Sequence, residues 1–397
     1  MSSVIILGDP HLGGSLNLGK SGIGSNLNSR IEDQINLLDW TLDRAIETMS
    51  GHIIITGDVF EEPKPHPSLI TLFISWLKKC QAHNVHAHII LGNHDILRSG
   101  FVYASPLDIV SEVDLDTVSI YKQIDTILIG SSSFTMVPFR DRKSFACKTN
   151  AEALEILKDS LVYELAGAPV TYKKILIGHL AIEGSIPIGD EIDDITNELF
   201  CSIDMFKGFD YVWMGHVHKP QIMNKKNPFI AHIGSMDVSN FGETDHKKHI
   251  IILDCDTDHY EIEYLPTRNL KKITVSIPKD TLDTTKFVID KLATMDGLDK
   301  SIIRVDISLE DPELKSVNKS LIDKMLIKHG VFNVSGISES KKSIIIKKDP
   351  NNTLNTTMDA SASIKIYAKT QIEESKRSDF IELAMNLVNK LKLENKE

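Results

Sequence analysis

Val4-Ile5-Ile6-Leu7-Gly8-Asp9-Pro10-His11 opens the chain with an unbroken apolar run that stops at a glycine and delivers an aspartate and a histidine. A run with no polar alternation is what a strand buried on both faces looks like. The same device recurs four times. Ile53-Ile54-Ile55 leads to Gly57-Asp58, and His88-Ile89-Ile90-Leu91 leads to Gly92-Asn93-His94-Asp95. Ile175-Leu176-Ile177 leads to Gly178-His179, and Tyr211-Val212-Trp213-Met214 leads to Gly215-His216-Val217-His218. A glycine at such a turn lets backbone pass close to a site. The donors delivered are carboxylate, carboxamide oxygen and imidazole, with no cysteine among them. That set suits manganese, iron, zinc or magnesium.

Asp9 and His11 are two residues apart, so on extended backbone they point the same way. His216 and His218 repeat that spacing. A pair of ions needs a shared ligand, and Asp58 is the candidate, binding one ion through each oxygen. We assign Asp9, His11, Asp58 and His218 to one ion, and Asp58, Asn93, His179 and His216 to the other. Two ions about 3.5–4 Å apart can activate water and clamp a phosphate during in-line displacement. His94, beside a ligand, is placed to meet the phosphate or to protonate the leaving oxygen, with Asp95 as its candidate orienter. One Asp-x-His pair alone would mean only a turn; five such segments in order outweigh that reading. His52, His66, His83, His86, His88, His246, His249, His259 and His329 lack this setting and read as structural or surface groups. His232 lies in a strand close to the motif region and is left open.

Asp-x-His, Gly-Asp, Gly-Asn-His-Asp, Gly-His and Gly-His-x-His, in this order over residues 1–265, resemble the calcineurin-like metallophosphoesterase superfamily. Within it the chain is most similar to the SbcD-type nuclease subunits of bacterial and phage DNA-end processing. The similarity rests on Ile6-Leu7-Gly8-Asp9-Pro10-His11-Leu12-Gly13, and on Gly57-Asp58-Val59-Phe60 followed by Pro63 and Pro65. Gly234-Ser235 with Phe241 and Glu243 before the strand His249-Ile250-Ile251-Ile252-Leu253 adds to it. Glu61 departs from relatives with His or Asp there, and Ile233 stands where proline is common. The Arg-containing turn of the protein Ser/Thr phosphatases is absent. The resemblance implies two divalent ions, typically Mn²⁺, and DNA as substrate. It also implies a capping domain that positions DNA, and an SbcC-type coiled-coil ABC ATPase as partner. A homodimer is expected as well.

A chain of 397 residues suggests roughly two or three domains. No stretch approaches the ~18 apolar residues of a membrane span. The first strand begins too close to Met1 for a signal peptide. Cys80, Cys147, Cys201 and Cys255 are scattered like reduced thiols, so a cytoplasmic protein is expected, in a bacterial or phage-infected cell. The net charge of −11 is unhelpful for binding phosphates. Residues 1–266 hold 21 Lys and Arg against 36 Asp and Glu, whereas residues 267–397 hold 23 against 19. DNA grip therefore falls to a partner or to the basic C-terminal part.

Strands alternating with helices at about 28–49, 67 onward and 151–165, then short hairpin-like strands beyond Met136, predict a four-layer α/β sandwich. We expect the nuclease domain over 1–266. A small α+β capping domain follows at 267–348, with strands 272–277, 302–307 and 331–337 and helices 284–295 and 313–329. A polar linker occupies 349–366, and a partner-binding helix lies within 367–397. In that helix Phe380, Leu383, Leu387 and Leu391 fall on one apolar face. The loop Glu183 to Asp194 reads equally as a substrate rim or an ordinary surface loop. The expected activity is metal-dependent DNA exonuclease, with endonuclease activity open, in repair, recombination or replication. A small-molecule phosphodiesterase using the same metals, and a scaffold for the ATPase, are the alternatives.

Overall fold

The computed structural model describes residues 3–21, 27–99, 102–187, 197–257, 259–341, 368, 377–378 and 380–385. The apolar runs form two six-stranded sheets. In the first, Ser3–Leu7, His52–Ile55, His86–Ile90 and Val118–Tyr121 run parallel, and His249–Asp254 and Tyr260–Tyr264 complete the other edge antiparallel. In the second, Ser132–Val137, Lys173–Gly178, Tyr211–Met214 and Phe229–His232 are parallel, with Asp125–Ile129 and Gln221–Asn224 as antiparallel edges.

Alternate residues of each strand serve different cores, as the two-residue period requires. Ile6, Ile54, Ile90 and Ile251 meet Phe134, Met136, Ile177 and Trp213 between the sheets. Ile5, Leu7, Ile53 and Ile55 face the helices Ser29–Glu47 and Pro67–Ala82 through Leu38, Leu42, Phe73 and Trp76. On the far side Leu176, Val212 and Met214 pack on Leu157 and Leu161 of the helix Asn150–Gly167. The result is the expected sandwich of helix, sheet, sheet and helix. Beyond Met136 the expected hairpins form twice, Gln221–Asn224 with Phe229–His232 and His249–Asp254 with Tyr260–Tyr264, while Lys173–Gly178 and Tyr211–Met214 have parallel neighbours instead. Those two are buried over most of their length, and a crossover, the helix Asn150–Gly167, returns the chain from Ser132–Val137 to Lys173–Gly178 in the parallel sense.

Leu270–Ile277, Ile302–Leu309 and Asn333–Lys341 form a third, wholly parallel sheet, covered by the helices Thr284–Ala293 and Lys319–Lys328. The second helix starts later than its apolar spacing predicts, because Asn318 caps it by accepting from the Leu321 amide at 3.1 Å. This sheet meets the sandwich through Leu270, Ile302 and Phe332 against Leu18, Val238 and Phe241. Arg268 adds a two-pronged pair with Asp33 at 2.8 and 2.5 Å and lies 3.8 Å over the Phe332 ring. Residues 342–397 form a second unit. Within it residues 380–385 are helical, with Phe380 half-buried and Leu383 66% exposed; Leu387 and Leu391 lie outside the described residues. No helix among the described residues is long and apolar enough to cross a membrane.

Three histidines gather at the starting ends of the parallel strands, away from the ligand turns. His52 Nδ1 lies 3.0 Å from His88 Nε2, His88 Nδ1 lies 2.9 Å from the Tyr121 hydroxyl, and the His86 and His88 rings stack 4.3 Å apart. Burial first, then the neighbouring imidazoles, pushes His88 down to about 2, and burial also lowers His52 and His86. The unfolded chain therefore takes up protons below pH 6.5 that the folded chain refuses. The contribution of these histidines to stability is full above that value and declines as pH falls, by up to about 1.4 kcal/mol per pH unit per histidine. Relative to the parent, His88→Gln should gain in urea midpoint as pH falls from 7.5 to 5.5; a constant difference between the two proteins across that range would exclude His88 as a source.

Candidate metal centre

The candidate ligand turns stand at the C-terminal ends of parallel strands, three from the first sheet and two from the second. Two glycines let the turns come together. A Cβ on Gly8 would fall 1.7 Å from the Gly234 carbonyl oxygen, and one on Gly92 would fall 2.0 Å from Asp58 Oδ1. The turn backbones are tied directly: the amides of His11 and Leu12 donate to the carbonyls of Asp58 and Val59 at 2.9 and 2.8 Å. His11, Asp58 and His216 have φ of 45°, 47° and 73°. Left-handed backbone is uncommon for residues with a side chain and costs of order 1–3 kcal/mol at each. Such strain persists only where surrounding structure enforces it.

Two groups of donors result. His11 Nε2 and His218 Nε2 are 2.9 Å apart, and donors of Asp9, His11 and His218 all lie within 4.8 Å of one another. On the other side, Asn93 Oδ1 lies 2.9 Å from His179 Nε2 and 3.0 Å from His216 Nδ1. Asp58 joins them, but through one oxygen rather than the two expected. Its Oδ2 lies 3.6 Å from His11 Nε2 and 3.2 Å from His179 Nε2, while Oδ1 accepts from the His94 amide at 2.8 Å. Asp9 is held by the Thr56 hydroxyl and the His216 amide, both at 2.7 Å.

This arrangement fits divalent ions. Separations near 3 Å are what adjacent ligands show when each binds at roughly 2.1 Å. The outward nitrogen of His179 is hydrogen-bonded, and those of His11 and His216 face carboxylates, an arrangement that turns the other nitrogen inward. His179 Nδ1 donates to the Thr56 carbonyl at 2.7 Å, His11 Nδ1 lies 3.1 Å from the Glu61 carboxylate, and His216 Nε2 lies 3.0 Å from Glu198. Electrostatics agree. Burial opposes charge on His11 and His179, yet Glu61, Asp58 and Asp9 raise them to about 9 and about 10. Burial and then the His11 charge instead hold His218 well below the ordinary histidine value. Protons fill part of the cation demand of two buried carboxylates; divalent ions would take their place.

His94 stands at the mouth of this cluster. Its Nδ1 donates to the Glu61 carbonyl at 2.6 Å, its ring meets that of His11 edge-on with centroids 5.0 Å apart, and one of its nitrogens lies within 4.8 Å of donors of His11 and Asp58. The expected orienting contact from Asp95 is not made. Asp95 is fully buried and accepts from the amides of Gly92, Val59 and Phe60 at 3.0, 3.2 and 3.3 Å. Neighbouring side chains in this turn diverge, so His94 points to the mouth and Asp95 inward. Asp95 is raised to about 7, by burial and then by the Asp58 charge. Its work is to tie the Asp58 and Asn93 turns together, and His94 is oriented by backbone.

Glu61 thus enters the site, behind His11, and Glu198 is a residue that motif reading passed over. Glu198 follows no apolar run or glycine turn, and its contact with His216 is purely tertiary. His232 also acquires a place: it is buried, held down to about 3 by that burial, and donates from Nδ1 to the Gly215 carbonyl at 3.0 Å behind His216. Of the loop after His179, Ile186 is clipped to the Gln221 side chain at 3.0 and 3.1 Å, and residues 188–196 lie outside the described residues.

Residues 2–220 match the family described as calcineurin-like phosphoesterase. Among curated proteins, the SbcD subunit of the SbcCD nuclease of Staphylococcus epidermidis is 26% identical over 283 residues, 68% of this chain and 71% of that protein. The DNA double-strand break repair protein Mre11 of Methanococcus maripaludis is 25% identical over 226 residues, 56% of each. A solved dimetal phosphatase from Danio rerio aligns with a TM-score of 0.42 and 8% identity, over 66% of this chain and 96% of that one. With the family match spanning more than half of its length, this chain belongs to the calcineurin-like phosphoesterases, a family of metal-dependent phosphoester hydrolases.

Proposed function

We propose that the chain is a two-metal DNA nuclease of the SbcD kind, hydrolysing phosphodiester bonds at DNA ends and working with an SbcC-type ABC ATPase. The observation that carries this reading is the doubled donor set sharing Asp58 Oδ2, with His94 standing beside it. The names of the SbcD and Mre11 relatives supply DNA as the substrate class. Asp9, His11, Asp58 and His218 hold one ion; Asp58, Asn93, His179 and His216 hold the other. Bound there, divalent ions supply Lewis acidity at the phosphate and make water acidic enough to act as nucleophile. The protein's part is to hold seven donors in place, with Thr56, Glu61 and Glu198 setting the imidazoles and Asp9. His94, whose Nδ1 proton goes to the Glu61 carbonyl, offers Nε2 to a phosphate oxygen and, when protonated, to the departing sugar oxygen. The acidic sandwich leaves DNA affinity to residues 267–397 and to the partner.

End-labelled duplex DNA should be cleaved in the presence of Mn²⁺ and faster than with Mg²⁺, because four of the seven ligands are imidazoles and Mg²⁺ prefers oxygen. Hydrolysis of bis-p-nitrophenyl phosphate with intact DNA left behind would transfer the assignment to a small-molecule phosphodiesterase.

His94→Ala should retain two ions per chain by elemental analysis while cleavage falls by about 10²–10⁴-fold, the usual contribution of a positioned proton donor. Loss of an ion from this variant would make His94 a ligand.

The apolar face of the C-terminal helix, with Phe380, Leu383, Leu387 and Leu391, is the proposed seat of the ATPase. Leu387→Glu combined with Leu391→Glu should abolish co-purification with the ATPase and leave hydrolysis of small phosphodiesters unchanged. Normal binding by the double variant would remove this helix from the interface.

A further inference from the structure

The motif Gly234-Ser235 with Phe241 and Glu243, which leads into the strand His249–Asp254, contains none of the donors assigned above, yet it carries a fully buried ion pair. Lys248 Nζ lies 2.7 Å from Glu243 Oε2, and both side chains are 0% exposed. The ammonium has three protons, and each has a partner. Besides Glu243 they are the Ser235 hydroxyl at 2.7 Å and the backbone carbonyl of His218 at 2.9 Å. Glu243 is equally engaged, its Oε1 accepting from the Ser239 hydroxyl at 2.5 Å and from Asn240 Nδ2 at 2.8 Å.

Stability does not account for such a pair. Taking two charges out of water offsets much of their attraction, and well-packed apolar residues of similar volume are often as stable or more so. What an apolar pair cannot supply is a hydrogen-bond donor to the His218 carbonyl. That carbonyl also accepts from the Ser235 amide at 3.3 Å, and the next residue, Met236, donates from its amide to the Asp9 carbonyl at 2.9 Å. The antiparallel register of His249–Asp254 with Ser3–Leu7, which pairs Ile250 with Leu7, brings Lys248 alongside the Asp9 turn. One ammonium therefore grips the peptide of His218 and, through the Ser235-Met236 segment, that of Asp9.

We propose that the Glu243–Lys248 pair is a positioning device for His218, fixing the peptide from which that imidazole reaches the position facing His11 Nε2. The inference rests on the reading of His218 as a ligand of one ion. Its prediction is selective: the ion of Asp9, His11, Asp58 and His218 should weaken, and the ion of Asn93, His179 and His216 should not.

The test compares the full chain, the double variant Lys248→Met with Glu243→Leu, and His218→Ala. Mn²⁺ titration calorimetry counts and ranks the ions, and melting of the ion-free proteins reports the fold. The double variant should keep a cooperative melt without ions, bind one Mn²⁺ as the parent does, and bind the second about 10- to 100-fold more weakly, the usual cost of losing a residue that orients a ligand. Both ions bound with parental affinity would overturn the positioning role. So would a collapse of the ion-free melting temperature, which would make the pair a fold determinant. His218→Ala separates this from the site itself. If it loses one ion while the double variant loses neither, only the positioning role falls; if it keeps both, the ligand assignment falls first.

Discussion

Asp58 Oδ2 lies between an imidazole of the first sheet, His11, and one of the second, His179, with the carboxylate buried on all sides. Burial by itself would push that carboxyl towards neutrality; His179, then His94 and His11, hold it well below the usual carboxylate range instead. A buried charge of this kind is tolerable only while its partners stay within a few ångströms. Those partners come from both halves of the sandwich. The packing of Ile6 and Ile54 on Ile177 and Trp213 is therefore more than a source of stability. It sets the spacing at which two independent strand edges can share one oxygen.

The skeleton of this arrangement is readable in the sequence because each ligand turn announces itself locally, by an apolar run, a glycine and a donor. The seven assigned donors come together as two groups around Asp58. What cannot be read are contacts made by side chains whose neighbours in sequence say nothing about them. Glu198 reaches His216 from a segment without a strand signature. Asp95 adjoins His94 in sequence and reads as its partner, but alternating side-chain directions in the turn send it to three buried amides. The mixture of hairpins and crossovers beyond Met136 escapes the sequence for a related reason: short strands look alike whether their return is a hairpin or a helix.

Residues 234–248 carry none of the candidate donors, yet buried charges anchor them beside the centre. Arg30, fully buried, pairs with Asp237 at 2.5 Å and donates to the Val238 carbonyl at 2.9 Å. Lys248 secures the same stretch from its other end. Between these anchors Val238 and Phe241 pack against Leu270, Ile302 and Phe332 of the third sheet. The segment behind His218 is thus also the surface on which that sheet rests, so the third sheet and the His218 turn share a common support.

Three of the donors sit on left-handed backbone, and this restricts what chemistry the positions can host. Asp, Asn and His are the residues that enter that conformation most readily after glycine, and they are also hard or borderline metal donors. At His11, Asp58 and His216 the backbone and a bound divalent ion would therefore favour the same short alphabet. Glutamate offers the same carboxylate as aspartate, but on a longer arm and without that backbone preference. A redesign of the centre for another metal must first satisfy the turn, so exchange among Asp, Asn and His is the accessible route, and wider changes of ligand would have to begin with the backbone.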